Sequence, residues 1–371
     1  MIVRDEAHHL PRCLASLTSL APQIVVVDTG SQDATVAEAR RLGAEVFSFD
    51  WVNDFSAARN ASLQQASGRW ILVLDADEWL EPSSAAEIAR LVREEPECAF
   101  ELIQKSTDAS GGVIRNSMVR LFPNHAAVRF THKVHEDVVT SIVRAGLRIV
   151  KTQIAIEHSG YVNLDKVREK TRRNRAILEA ALAQGCDPET EPHARFNIGV
   201  VLFDEGKIAE ALGHFEWCIH NSKPDSRIAR ICSLRAANCH FVSGQPDRAL
   251  ALLPAEPLPS HHPAALMMAA KILHARDPRT ARPWLEALLA ASDTAQSPPV
   301  SVGPLKTGAI AALGNIWLNE GHLQIAKELL ALARTMQVGE VDPASDQIAS
   351  TYVAILESSG QAVGARTLSN S

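Results

Sequence analysis

The chain has 371 residues, of which 46% are hydrophobic and 22% are charged, and this length and composition fit a globular protein of two domains. The formal net charge of −6 argues against a nucleic-acid-binding protein, which usually carries a basic face. We expect no transmembrane segment, since no apolar run approaches the ~20 residues that a spanning helix needs.

Short apolar runs alternate with helical patterns in the first part of the chain. Strands are predicted at 24–31 (including a polar turn), 45–49 and 70–75, and helices at 33–44 and 54–68. Strands that alternate with helices imply parallel βαβ units, so this part is expected to form an α/β domain.

The later part of the chain contains helical patterns only, and these repeat. Two helical patterns meet at Gly206, and the same arrangement recurs around Gly244, around Gly321 and, less completely, around Gly360. Small and large residues of the first unit fall at the spacings of a tetratricopeptide repeat, namely Gly199, Leu202, Gly206, Ala211 and Phe215. The segment Pro254–Pro304 fits less well and holds one degenerate unit at best. An unspecialised helical bundle is the other interpretation.

A basic helix is predicted between the two parts, from Asn163 to Gly185. Its charges are typical of a solvated face; in the other interpretation Lys170, Arg172 or Arg173 faces a diphosphate. We therefore predict three segments: an α/β domain at 1–160, a basic linker helix at 161–190 and helical repeats at 191–371.

Three carboxylates follow the third predicted strand, at Asp75, Asp77 and Glu78. Open α/β sheets bind ligands beyond the carboxyl ends of their strands. A calcium loop is excluded, because Trp79 occupies the third ligand position and no glycine follows it. An aspartyl-nucleophile phosphatase is a weaker alternative, since two βα units precede the acidic strand. A Mg²⁺ or Mn²⁺ ion held by Asp75 and Asp77 against a nucleotide diphosphate suits hard oxygen ligands.

Four segments in this order resemble the family 2 glycosyltransferases of GT-A fold: MIVRDEAHHLPRCLASL, IVVVDTGSQDAT, FDWVNDFSAARNASLQQASG and WILVLDADEW. The resemblance is strong over residues 1–160 and loose over the helical tail. It is closest to the branch with a C-terminal tetratricopeptide region, which includes enzymes that glycosylate peptides such as glycocin bacteriocins. The implied fold is a GT-A domain, with a Rossmann-like mixed sheet flanked by helices, followed by an all-α repeat region.

The resemblance also implies an activity, which is inverting, metal-dependent transfer of a sugar from a UDP-sugar. It implies that the nucleotide is bound by Glu6, Asp28, Arg59, Asn60 and Asp75. Many members carry a second acid directly after the first, where this chain has Thr29. The structural alternatives are an Asx-type turn for Asp28 and a helix-surface salt bridge for Arg59.

The same resemblance implies the metal ligands and the base. The ligands of Mn²⁺ or Mg²⁺ are Asp75 and Asp77, with His158 as the candidate third ligand. Glu136 is the expected catalytic base and Asp137 the second candidate, with His135 orienting the base or lining the acceptor cleft. Arg120 matches a position on the acceptor side, and a structural role is equally open for it.

The helical repeats offer a groove for an extended peptide, and they serve equally well for homo-oligomerisation. We therefore expect a peptide, protein or cell-envelope glycan acceptor. No cysteine pair has C-x-x-C spacing and no secretory signal begins the chain, so a cytoplasmic protein is expected. Met1 already lies inside the family's first strand, which is expected to be truncated. That truncation favours the main alternative, a non-catalytic repeat scaffold with a degenerate transferase domain.

Overall fold

The computed structural model describes residues 1–94, 98–107, 113–159, 164–224, 226–291, 302–338 and 347–361. The chain divides into two compact units, Met1–Ala194 and Arg195–Ser371. Within these described ranges, no helix is both long enough and apolar enough to cross a membrane. Asn163, part of the segment Pro254–Pro304 and the residues after 361 lie outside these ranges.

The first unit contains two sheets. The smaller one is parallel, in the order β1-β2-β3, and its strands are β1 (Ile2–Val3), β2 (Val25–Asp28) and β3 (Glu45–Ser48). The larger one is mixed, in the order β4-β7-β6-β8-β5, and its strands are β4 (Trp70–Leu72), β5 (Glu78–Trp79), β6 (Cys98–Thr107), β7 (Val113–Pro123) and β8 (Arg148–His158).

The strand predicted at 70–75 differs from its expectation in length and in pairing. It ends at Leu72 and pairs antiparallel with β7, so that Ile71 lies opposite Phe122. In the larger sheet only the β6–β8 pair is parallel. The sheet is therefore mixed, as the GT-A resemblance implied, and is not a run of parallel βαβ units.

The described residues around these sheets form the α-helices α1 (Leu10–Ala15), α2 (Thr35–Arg41), α3 (Phe55–Gln65), α4 (Pro82–Glu94), α5 (Val139–Arg144) and α6 (Leu164–Ala183). Helix α3 begins after Asp54, whose carboxylate accepts a hydrogen bond from Ala57 N at 3.0 Å and so caps an unpaired amide. It buries Ala58 and Leu63. Burial of apolar side chains from both sheets and from α1 and α4 forms the main core of this unit.

The second unit is helical throughout its described part, and its first helix begins at Glu191, just before the boundary between the units. Its helices are α7 (Glu191–Asp204), α8 (Ile208–Asn221), α9 (Arg227–Val242), α10 (Pro246–Ala251), α11 (Pro263–His274), α12 (Pro278–Ala290), α13 (Val302–Asn319), α14 (Leu323–Gln337) and α15 (Gln347–Ser358). Gly206 lies between α7 and α8 with φ of 78°, a left-handed conformation that glycine adopts without a steric penalty. Gly244 and Gly321 occupy the same place in two later helix pairs. The predicted α/β domain followed by tetratricopeptide-like helices is confirmed.

The close approach of α7 to α8 gives a first testable prediction, which concerns stability. A Cβ added at Gly199 would lie 2.7 Å from the ring of Phe215, which is fully buried. Gly199→Ala should therefore lower the free energy of unfolding by about 1–3 kcal/mol through overpacking.

Gly213→Ala is the matched control, because Gly213 is exposed on α8 and nothing lies within 4 Å of its added Cβ. That substitution should instead stabilise the helix by about 0.5–1 kcal/mol. Urea unfolding of both variants measures the difference, and equal effects of the two would show that the helices do not pack this closely.

Candidate active site

An aspartate and a histidine meet where the acidic segment after β4 passes the end of β8. The antiparallel pairing of β5 with β8 places Glu78 opposite His158. As a result His158 Nε2 lies 3.1 Å from Asp77 Oδ2, while His158 Nδ1 lies 3.1 Å from Ser106 Oγ on β6. The hydrogen bond with Asp77 raises the pKa of His158 above its ordinary value.

The Asp75 carboxylate lies between two guanidinium groups. Arg59 Nη2 donates to Asp75 Oδ1 at 2.7 Å, and Arg120 Nη2 approaches Asp75 Oδ2 at 3.4 Å. Burial alone would raise the pKa of Asp75, but the charges of Arg59 and Arg120 outweigh it and hold that pKa well below its ordinary value. Asp75 is therefore an anion that α3 and β7 orient from two sides.

Glu78 supports Asp75 from within the protein and is fully buried. Its Oε2 accepts from Asp75 N at 2.8 Å, and its Oε1 accepts from Arg120 Nη2 at 3.0 Å and from Gln104 Nε2. Burial raises the pKa of Glu78 above its ordinary value. The sequence marks Glu78 only as the third acid of its segment, without a role. The structure shows that it positions Asp75 and Arg120.

Glu136, the predicted base, joins the same network through Arg59. Arg59 Nε donates to Glu136 Oε1 at 2.6 Å, so one guanidinium bridges Glu136 and Asp75. The neighbouring Asp137 is differently engaged, since its Oδ1 accepts from Val139 N at 2.9 Å in the turn that leads into α5. Its other carboxylate oxygen lies 4.0 Å from His132 Nε2.

Of the predicted nucleotide residues, Glu6 lies in the loop after β1 and Asp28 is the last residue of β2. Asp28 Oδ2 accepts from Gly30 N at 3.2 Å and Oδ1 from Ser31 N at 3.1 Å, which is a local turn of the Asx type. Glu6 Oε2 lies 2.6 Å from His9 Nδ1. Their contact with a nucleotide stays a prediction.

Thr29 stands where many family members carry a second acid, and its side chain faces inward. Thr29 Oγ1 donates to Val3 O at 3.0 Å, and the residue is buried. This position therefore offers no side-chain acceptor to a nucleoside.

Asn60, the remaining predicted nucleotide residue, is engaged by the chain itself. Its Nδ2 donates to Phe130 O at 2.9 Å, and its Oδ1 accepts from Phe130 N at 2.8 Å. A nucleotide contact from Asn60 also stays a prediction.

The residues near Asp77 fit a divalent cation in part. Octahedral bonds of 2.0–2.1 Å place neighbouring ligand atoms about 3 Å apart, which is close to the 3.1 Å between Asp77 Oδ2 and His158 Nε2. Asp75 is directed at Arg59 and Arg120 instead, and the described residues contain no group of three or more His, Cys, Asp or Glu side chains able to hold a metal ion. Two protein ligands, with phosphate and water oxygens completing the shell, are consistent with this geometry.

Comparison with known proteins identifies relatives of both parts of the chain. Residues 1–147 match the family described as glycosyl transferase family 2. A TPR repeat-containing protein of Synechococcus elongatus is 35% identical over 236 residues, which cover 62% of this chain and 57% of the relative. The SPbeta prophage-derived glycosyltransferase SunS of Bacillus subtilis is 27% identical over 227 residues, which cover 60% of this chain and 53% of the relative.

The chain thus spans a little over half the length of these curated relatives. Among solved structures, TarS of S. aureus matches with 15% identity and a TM-score of 0.41, covering 68% of this chain and 53% of that one.

Proposed function

We propose that this chain transfers a sugar from a UDP-sugar to an acceptor with inversion at the anomeric carbon. The match of residues 1–147 to the family described as glycosyl transferase family 2 supports the proposal. The observation that carries the proposal is the arrangement beyond the end of β4, in which Asp77 contacts His158 and Arg59 bridges Asp75 and Glu136. One guanidinium, that of Arg59, ties the predicted base to the acidic segment. The family match also removes the support for an aspartyl-nucleophile phosphatase.

Asp77 and His158 are the residues that would hold a divalent cation. Such an ion supplies Lewis acidity that neutralises the charge developing on the leaving diphosphate. An imidazole nitrogen is a better ligand for a first-row transition metal than for Mg²⁺, so this pair favours Mn²⁺. Asp75 remains ionised between Arg59 and Arg120 and keeps a fixed negative charge beside the pair.

Glu136 is the proposed general base. The acceptor hydroxyl or thiol gives its proton to the Glu136 carboxylate, and its freed electron pair forms the new bond to the anomeric carbon. The bond from that carbon to the diphosphate oxygen breaks, and the UDP leaves with the electron pair. General-base assistance of this kind contributes roughly 10²–10⁴-fold to the rate. Arg59 orients the carboxylate through its 2.6 Å hydrogen bond.

The acceptor is proposed to be a peptide or protein, because helical repeats present extended concave surfaces that suit a peptide chain. A cell-envelope glycan is the other acceptor class. The non-catalytic scaffold is less well supported, since Asp75, Asp77 and Glu136 are all present: Arg59 bridges Asp75 and Glu136, and Asp77 contacts His158.

Two measurements test this function on the whole chain. Calorimetric titration of UDP with and without Mn²⁺ should show binding that requires the metal. UDP release from UDP-glucose or UDP-N-acetylglucosamine, with water as a surrogate acceptor, should then be detectable by chromatography. A protein that neither binds UDP with Mn²⁺ nor releases UDP from either donor would support the scaffold instead.

A further inference from the structure

The loop at 130–137, called the base loop below because it carries the candidate base, is strained. His132 and His135 have left-handed φ angles of 71° and 56°, conformations that side chains other than glycine adopt at a cost. Thr131 and Asp137 close the loop as an antiparallel pair with N···O distances of 2.9 and 3.2 Å. Strained residues of this kind persist only where the surrounding structure determines their conformation. Contacts from outside the loop must therefore hold it.

The amide of Asn60 supplies two of those contacts. Asn60 Nδ2 donates to Phe130 O at 2.9 Å, and Asn60 Oδ1 accepts from Phe130 N at 2.8 Å. This is how the backbone of a neighbouring strand would pair with Phe130 in a hydrogen-bonded antiparallel pair. A side chain from α3 thus fixes the backbone at the start of the base loop, 70 residues further along the chain.

Helix α3 makes two more contacts with the same loop. Phe55 N, in the first turn of the helix, donates to Lys133 O at 2.9 Å. Arg59 Nε donates to Glu136 Oε1 at 2.6 Å. The helix therefore holds the base loop at its beginning, at its middle and at the Glu136 side chain.

We propose that Asn60 is a positioning residue for proton transfer. It fixes Phe130, and through Phe130 the base loop, so that the carboxylate of Glu136 keeps its distance and direction toward the acceptor. Arg59 supplies the charge beside Glu136, while Asn60 supplies backbone geometry without any charge. The inference rests on the proposed function, and it gives Asn60 a task different from the nucleotide contact that the sequence resemblance implies.

Asn60→Asp is the informative substitution. It keeps the size of the side chain and the acceptor for Phe130 N, but it places a carboxylate oxygen against Phe130 O in place of the donor. Asn124→Asp is the matched control, because Asn124 Nδ2 donates to Ala66 O and Gly68 O, both at 2.9 Å, just beyond the other end of α3. Both variants lose amide donors to backbone carbonyls, and only one of them affects the base loop.

Asn60→Asp should lower the turnover number for UDP release from UDP-glucose by about 10²-fold, since a misplacement near 1 Å is enough for such a loss. The Kd of UDP measured with Mn²⁺ should stay at the wild-type value, because in this proposal Asn60 contacts Phe130 and not the nucleotide. Asn124→Asp should leave both quantities unchanged. A purely structural weakening of the domain would instead lower the thermal midpoint of both variants without separating turnover from binding.

Two kinetic outcomes would overturn the proposal. Weaker UDP binding with unchanged turnover would indicate that Asn60 contacts the nucleotide. Unchanged binding with unchanged turnover would show that Asn60 does not position the base. If Asn60→Asp does not fold, Asn60→Ala removes both hydrogen bonds without adding charge and replaces it in the same measurements.

Amide hydrogen exchange at Phe130 gives a readout that needs no activity. Exchange should be faster in Asn60→Ala, which removes the acceptor of Phe130 N, than in the wild type, and it should be unchanged in Asn124→Asp. Equal exchange in all three proteins would show that Asn60 does not hold the base loop. A wild-type protein that releases no UDP would remove the proposed function alone, while the exchange rates would still decide whether Asn60 fixes Phe130.

Discussion

Asp77→Ala is expected to abolish the metal-dependent binding of UDP and to lower turnover by about 10³-fold or more. Loss of a metal ligand removes several kcal/mol of charge stabilisation at the leaving diphosphate, and each ~1.4 kcal/mol corresponds to a factor of ten in rate. His158, whose Nε2 lies 3.1 Å from Asp77 Oδ2, is the other proposed ligand, and we do not expect it to replace the missing carboxylate. Titration of UDP with and without Mn²⁺ and the rate of UDP release measure the two effects.

Asp204→Ala is the control for that substitution, because Asp204 is an exposed aspartate at the end of α7. It removes the same charge from the chain and should leave both measurements at the wild-type value. His158→Ala should share the loss of Mn²⁺ dependence with Asp77→Ala. If UDP binds Asp77→Ala as tightly with Mn²⁺ as it binds the wild type, the assignment of the cation to this pair is wrong.

The elements that follow from local patterns were predictable from the sequence. The β-branched run before Asp28 forms β2, the run at Glu45 forms β3, and the helix after Asp54 forms α3 at nearly the predicted places. The glycines between paired helices were predictable as well, because Gly206 and its counterparts need a left-handed backbone that few other residues adopt.

Long-range pairing could not be read from the same patterns. Strand β5 has only two residues, and its register with β8 is what brings His158 to Asp77. The sequence suggested His158 only through a family resemblance. The environment of Asp75 was equally hidden, because its two guanidinium partners lie 16 and 45 residues away on α3 and β7. Such contacts depend on how the sheets close.

The backbone preferences of individual residues do not favour the conformation of the base loop. His132 and His135 adopt left-handed conformations, which are uncommon for residues other than glycine. The contacts with α3 outweigh that preference. Sites in which global packing overrides a local rule are often functional, which agrees with the placement of Glu136 in this loop.

The second large effect concerns the choice between two neighbouring carboxylates, and it follows from their different partners. Glu136→Gln is expected to reduce the turnover number by roughly 10²–10⁴-fold, because a neutral amide accepts no proton from the acceptor. The Gln side chain still accepts a hydrogen bond from Arg59, as Glu136 does at 2.6 Å, so the base loop and the Kd of UDP with Mn²⁺ should be unchanged.

Asp137→Asn is the matched comparison, since it makes the same isosteric change one residue away. Asp137 Oδ1 accepts from Val139 N at 2.9 Å, and an asparagine oxygen makes that hydrogen bond equally well. Turnover should therefore stay close to the wild-type value. The reverse result, with Asp137→Asn inactive and Glu136→Gln active, would transfer the proton to Asp137. It would also mean that the bridge from Arg59 to Glu136 shapes the loop without taking part in the chemistry.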